Sequence, residues 1–205
     1  MTFNHMNAAR TVAAALVVTV ITQVLYVTGI VGGGSEAASV RMVWTTEMAM
    51  FTILAVIGIA MAARDERSPL AWAAIAVAGF VNVLQTGMGL AMFPPASAAG
   101  EGLEPLMGTV VAGAFFLYFH GKALIGLAAI GFGLRAWASG TFAAKAIGGL
   151  GVLAGMAAAV LNLLGMAGGM RWAQPAGASG TAAAAVLALL LVLIVRAPSP
   201  KKVTA

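Results

Sequence analysis

The chain has 205 residues, of which 61% are hydrophobic and only 8% are charged, and its mean hydropathy is +1.01. A soluble domain carries about 25% charged residues, so this composition cannot cover a water-facing surface and predicts a protein whose solvent is the bilayer. The sequence contains no cysteine, which excludes disulfides, thiolate catalysis and cysteine-ligated zinc or iron–sulfur centres. The net charge of +5 comes from bases scattered at the ends of apolar runs, which indicates membrane topology and not a nucleic-acid surface.

The first apolar run, about 11–31, is expected to be an uncleaved membrane span that follows Arg10. A cleaved signal peptide is the alternative, because the small residues 35–38 resemble a cleavage site. The apolar part of a signal peptide is only about 7–15 residues long, so the length of this run favours a span.

Five further runs predict an all-α bundle of six transmembrane helices that forms a single transmembrane domain over residues 1–205. The expected spans after the first are 42–63, 69–93, 106–137, 145–168 and 177–195. The fourth span is longer than the roughly 20 residues that a bilayer requires. It must therefore tilt, protrude or break, and Gly121 is a candidate position for a break.

The distribution of basic residues predicts that both termini are cytoplasmic. With six spans, one side of the membrane receives Arg10, Arg64, Arg67, Arg135, Lys145, Arg196, Lys201 and Lys202, and the other side only Arg41 and Arg171. Short cytoplasmic loops carry an excess of Lys and Arg, so the first side is assigned to the cytoplasm and the protein to the cell (inner) membrane. Trp72 and Trp137 are expected in the aromatic belt at the inner interface.

Every predicted span carries polar residues at a similar depth. Measured from the basic residue at its cytoplasmic end, each polar residue lies 13–18 positions into its helix, which is roughly 20–27 Å at about 1.5 Å per residue. The candidate proton or solute pathway consists of Glu47, His120, Lys122, Asn82 and Gln85, and a secondary polar layer consists of Gln23, Tyr26, Asn162 and Thr181. The layer lies past the midplane, toward the outer face.

Glu47 is the only acid inside any span, and we expect it to face Lys122 or His120. A charge at bilayer depth costs about 2.5–3.5 kcal/mol on insertion scales, so charged groups there are usually paired and functional. His120 and Lys122 lie about 200° apart around an ideal helix. Either Gly121 distorts the helix, or only one of the two side chains faces the site.

A repeated helical hairpin is a further hypothesis. Residues 54–59 resemble residues 127–132, and alignment of their glycines places Glu47 opposite His120. Asn82 and Asn162 likewise occupy matching places in the third and fifth spans. Many transporters are built from such repeats.

These features favour a small channel or transporter for protons or a small polar or ionic solute, with an outward-facing polar cavity. Two alternatives stay open: a membrane enzyme or redox subunit that binds a cofactor or quinone at the same layer, and a non-catalytic subunit of a larger membrane complex. The sequence names no cofactor, and no H-x-x-H or acidic cluster supports a metal site. The expected partners are the lipid bilayer and, as open options, a second copy or another membrane protein.

Overall fold

The computed structural model describes residues 4–100, 102–138 and 141–196, with residues 194–196 described by their backbone alone. Within these ranges the only regular secondary structure is helix and there is no strand, which confirms the all-α class. The helices are α1 His5–Val27, α2 Ala38–Ala62, α3 Pro69–Ala91, the short α4 Phe93–Ser97, α5 Glu104–Trp137, α6 Phe142–Gly168 and α7 Ala173–Arg196.

Five helical segments are long and apolar enough to cross a membrane, and the last of them, Phe142–Leu193, has 52 residues. This last segment reverses direction at a short 3-10 helix, Gly169–Trp172. Its first residue, Gly169, has a φ of 69°. Asn162 in α6 donates to the Ala176 carbonyl in α7 at 3.0 Å, so the two helices run antiparallel. The six long helices of the described chain fit a helical membrane bundle.

Local signals set the helix ends and shift some of them from the predicted spans. The Asn4 side chain accepts from the Asn7 amide at 2.8 Å, so α1 begins at His5 and not near 11. The helix ends at Val27 because Gly29 adopts a φ of 74°, whereas the sequence predicted a span to about 31. Thr141 caps α6 in the same way as Asn4 caps α1.

The longest helix, α5, contains 34 residues and is not broken at Gly121. At about 1.5 Å per residue it is about 51 Å long, so it must tilt or protrude from a hydrocarbon core of about 30 Å. Gly121 has a packing role instead, because a Cβ there would fall on the side-chain amide nitrogen of Asn82 in α3. The glycine therefore lets α3 and α5 approach closely.

Small residues bring the other helix pairs into backbone contact as well. A Cβ on Gly126 of α5 would lie 2.6 Å from the Gly155 carbonyl oxygen of α6, and one on Gly58 of α2 would lie 2.7 Å from the Ala76 nitrogen of α3. Such small-residue interfaces are typical of membrane helix pairs, which lack a hydrophobic force between them. With α1 packed on α2 and α7, and α5 packed on α3, α6 and α7, the bundle has one continuous core.

The turn between α2 and α3 is fastened to the end of α5. Asp65 accepts from the Arg135 guanidinium at 2.7 Å and from the Trp72 indole at 2.9 Å, both on Oδ2. Burial alone would raise the pKa of the Asp65 carboxyl, but these hydrogen bonds and the Arg135 charge hold that pKa below its usual range.

Trp72 is 2% exposed and stacks edge-on against Phe132, so it lies in the core and not in the expected aromatic belt.

Candidate functional site

Glu47 in α2 is 4% exposed and faces α1. The Thr22 hydroxyl lies 2.7 Å from its Oε1 and the Gln23 amide nitrogen donates to the same oxygen at 2.9 Å. Among the described residues, no group donates to the second oxygen, Oε2. One oxygen of the carboxyl is therefore held by α1, and the other is available to a proton, a water molecule or a solute.

The Thr22 hydroxyl can serve either protonation state of Glu47. A hydroxyl has one proton to donate, yet Thr22 Oγ1 lies 2.7 Å from Glu47 Oε1 and 2.9 Å from the Thr19 carbonyl oxygen. When Glu47 is ionised, Thr22 donates to the carboxylate. When Glu47 carries the proton on Oε1, that O–H can donate to Thr22, which then donates to the carbonyl.

Polar contacts extend from Glu47 across the bundle to α5 and α7, and the step from Tyr118 to Lys122 is a contact between ring and ammonium group. The Tyr118 hydroxyl donates to Gln23 Oε1 at 3.1 Å. The Lys122 ammonium lies 5.4 Å from the Tyr118 ring centroid and donates to the Thr181 hydroxyl at 3.4 Å. These residues are called the polar network: Thr22, Gln23, Glu47, Tyr118, Lys122 and Thr181.

Two glycines of α7 make room for the large side chains of this network. A Cβ on Gly180 would lie 2.6 Å from Lys122 Cδ, and a Cβ on Gly177 would lie 2.9 Å from the Tyr118 hydroxyl oxygen. Lys122 is 6% exposed, so its four-carbon stem is packed inside the bundle. The network is thus enclosed by α1, α2, α5 and α7.

The opposite charges of Glu47 and Lys122 interact electrostatically but are not in direct contact. Within the described chain, the one ion pair closer than 4.0 Å is Arg135–Asp65, far along α5 from Lys122. Neutral groups of Gln23 and Tyr118 lie between the two charges. The site therefore holds a separated pair of charges bridged by polar groups, in which each charge has an uncharged hydrogen-bonding partner.

His120 lies outside this network. Because α5 continues as a regular helix through Gly121, His120 and Lys122 point in different directions, and it is Lys122 that faces the site. The His120 ring is half-buried, 6.5 Å from the ring of the half-exposed Phe116, and it makes no hydrogen bond with the described residues. Of the two partners expected for Glu47, the structure therefore brings Lys122 to the site and does not bring His120 there.

Asn82 and Gln85 are not bonded to the network either. Asn82 is buried, with its amide nitrogen bound to the Ala78 carbonyl at 2.8 Å and its Oδ1 without a partner in the described chain. Gln85 is half-buried and makes no hydrogen bond within the described chain. In the secondary layer, Asn162 joins α6 to α7 and Tyr26 is 45% exposed, away from the site.

The sequence reasoning did not single out Thr22 and Tyr118 as site residues. Both carry a detectable signal: Thr22 adjoins Gln23 in the same layer, and Tyr118 lies one helical turn before Lys122, on the same face. Both are residues that ordinarily hydrogen-bond within membrane helices, and only the angular position of α1 and α5 shows that they face the charges.

Across the described ranges, no three His, Cys, Asp or Glu side chains are grouped closely enough to hold a metal ion. Comparisons with protein-family models, with curated proteins and with solved structures found no match to this chain. The geometry of the polar network is therefore the basis for any statement about function.

Proposed function

We propose that the protein is a small membrane channel or transporter that moves protons or a small polar or ionic solute. Glu47 is the group that takes up and releases a proton, and Lys122 is its counter-charge across Gln23 and Tyr118. The observation that carries the proposal is the position of the Thr22 hydroxyl, which satisfies Glu47 in both protonation states.

The proposed location is the inner membrane of the cell. The proposed orientation places both termini in the cytoplasm. The charge bias of the loops supports this. It agrees with the packing of α1 against α7, in which the start of α1 and the end of α7 lie at the same end of the bundle. In this orientation the polar network lies past the midplane, nearer the outer face. Roles for His120, Asn82 and Gln85 in the pathway stay a prediction.

Proton flux into liposomes tests the proposal. Purified protein is reconstituted with a pH-sensitive dye inside the vesicles, and a potassium diffusion potential drives the flux. We expect Glu47→Gln to lower the flux to that of protein-free liposomes, because an amide cannot exchange the proton. Glu66→Gln is the matched control, since Glu66 is exposed in the turn after α2 and makes no hydrogen bond within the described chain.

Thr22→Val gives a finer test of the mechanism. It removes the hydroxyl and keeps the branched shape, so we expect slower flux with a shifted pH dependence. If Glu47→Gln conducts protons at the wild-type rate, Glu47 is not the proton carrier. If the flux with wild-type protein equals that of empty vesicles under every imposed gradient, including gradients of small ions and polar solutes, the protein is not a channel or transporter of the proposed kind.

A further inference from the structure

A groove of about 710 Å³ runs between α1 and α7, on the outside of the bundle and separate from the polar network. Its α1 wall contains Ala13, Val17 and Ile21, and its α7 wall contains Ala188 and Val192. Arg10 lies at one end, and the other lining residues are apolar. A cleft of this volume is within the range of about 300–1,000 Å³ that ligand sites occupy.

The length of the groove matches one leaflet of a bilayer. Arg10 and Ile21 are 11 residues apart on a continuous helix, so the groove is about 16 Å long at about 1.5 Å per residue. Half of a hydrocarbon core of about 30 Å is about 15 Å. A groove that begins beside Arg10 at the membrane surface therefore ends near the midplane, where an acyl chain of the same leaflet also ends.

The charge at the mouth of the groove is positive and uncompensated. Arg10 is exposed and makes no hydrogen bond or ion pair with the described residues. The backbone of α7 places Arg196 one helical turn beyond Val192, at the same end, and neither α1 nor α7 contains an acidic residue. Phosphate groups pair well with arginine, which can donate two parallel hydrogen bonds to them.

From these observations we infer that the groove is a binding site for an anionic phospholipid, with one acyl chain between α1 and α7 and the headgroup at Arg10. The basic mouth selects a lipid with net negative charge over a zwitterionic one. The apolar walls hold the chain through contacts that do not depend on the headgroup. The inference is independent of the proposed transport function, because no residue of the polar network lines the groove.

Native mass spectrometry of the detergent-solubilised protein, titrated with lipid, tests the headgroup site. We expect phosphatidylglycerol to bind at lower concentration than phosphatidylcholine with the same acyl chains. Arg10→Gln should weaken phosphatidylglycerol binding about fivefold, the effect of about one basic residue at an anionic surface. Lys145→Gln is the control, because Lys145 is also exposed near the predicted cytoplasmic surface but lies outside the groove. Equal effects of the two substitutions would overturn the headgroup site.

A second pair of variants tests the acyl-chain groove. Val17→Trp should fill the groove and remove the tightest-bound lipid of either headgroup. Val160→Trp is the control, since Val160 of α6 is 54% exposed, compared with 47% for Val17, and lies outside the groove. Retention of the tight lipid in Val17→Trp would overturn the inference. The inference would also be overturned if the wild-type protein forms a dimer without bound lipid and Val17→Trp dissociates that dimer. A second copy of the chain would then occupy the groove.

Discussion

Glu47 and Lys122 each offset the other's charge in a place where an isolated charge is costly. We predict that Glu47→Gln and Lys122→Met each lower the free energy of unfolding by about 1–3 kcal/mol, because each leaves a buried charge without compensation. The double variant should lose less than the two single variants together. Unfolding in detergent, measured for all four proteins as a double-mutant cycle, gives the coupling. Additive losses would show that the two charges do not act on each other.

Gly121 illustrates how one missing methyl group sets the spacing of two helices. We predict that Gly121→Ala lowers the free energy of unfolding by about 1–3 kcal/mol, since the new Cβ must displace the Asn82 amide from the Ala78 carbonyl. Gly108→Ala is the control in the same helix, because a Cβ there contacts nothing within 4 Å. The two thermal-melting curves should separate; a Gly121→Ala midpoint as high as that of Gly108→Ala would contradict the packing role.

At the scale of single residues, the depth of a polar residue along its helix was predictable from the sequence. The side of the helix on which it lies was not. Counting from the basic residues placed Gln23, Glu47, Lys122 and Thr181 in one layer, and the structure joins them in one polar network. His120 has the same depth as Lys122 but points away from the site. Which side of a helix faces inward depends on packing against its neighbours, and on α5 apolar residues surround the whole helix and leave no periodic signal.

At the scale of the helices, the Asp65–Arg135 ion pair joins the α2–α3 turn to the end of α5. We predict that Asp65→Asn lowers the free energy of unfolding by about 1–2 kcal/mol, a modest value because the Arg135 side chain is 26% exposed and solvent screens it. Glu66→Gln, in the same turn but without a hydrogen bond in the described chain, should change little.

The contribution of the Asp65–Arg135 ion pair to stability should also depend on pH. The pKa of Asp65 is held below its ordinary value of 3.8, so its contribution to stability is present above that pH and is lost as the pH falls through the lowered folded-state value. The stability difference between wild type and Asp65→Asn should therefore be constant from neutral pH to about 4 and shrink below that. Melting curves at stepwise lower pH measure it. A difference that shrinks between pH 7 and 5 would assign the effect to another group.

The existence and order of the long helices followed from apolar runs, but their ends followed from local chemistry. The predicted start of the third helix at Pro69 is confirmed, and the first position of a helix is one at which proline is favoured. The end of α1 was missed by four residues, since Thr28–Val31 is apolar enough to continue the span and only the φ of Gly29 ends it. Gly165 packs against Phe119, whereas Gly169 turns the chain, a distinction that spacing alone does not make.

Over the whole molecule, the proposed internal repeat stays a prediction. The sequence paired the spans as successive hairpins, with Glu47 opposite His120. In the structure the most extensive contacts join α2 to α3 and α5 to α6, which are the pairs between the proposed repeat units and not within them. The two residues that the alignment equates also differ in setting, because Glu47 is enclosed and His120 lies beside the half-exposed Phe116.

The orientation of the whole bundle decides which side of the membrane has access to the polar network. Because the chain has no cysteine, single-cysteine variants report position without background. Ala98→Cys and Lys145→Cys suit this purpose, since both positions are exposed and the predicted topology assigns them to opposite sides. Ala98 directly follows α4, and Lys145 lies in the first turn of α6. We predict that a membrane-impermeant maleimide labels Ala98→Cys in intact spheroplasts and Lys145→Cys only after lysis. The reverse pattern would turn the polar network toward the cytoplasm, so that Glu47 would exchange protons with the interior first and the direction of the proposed transport pathway would be inverted.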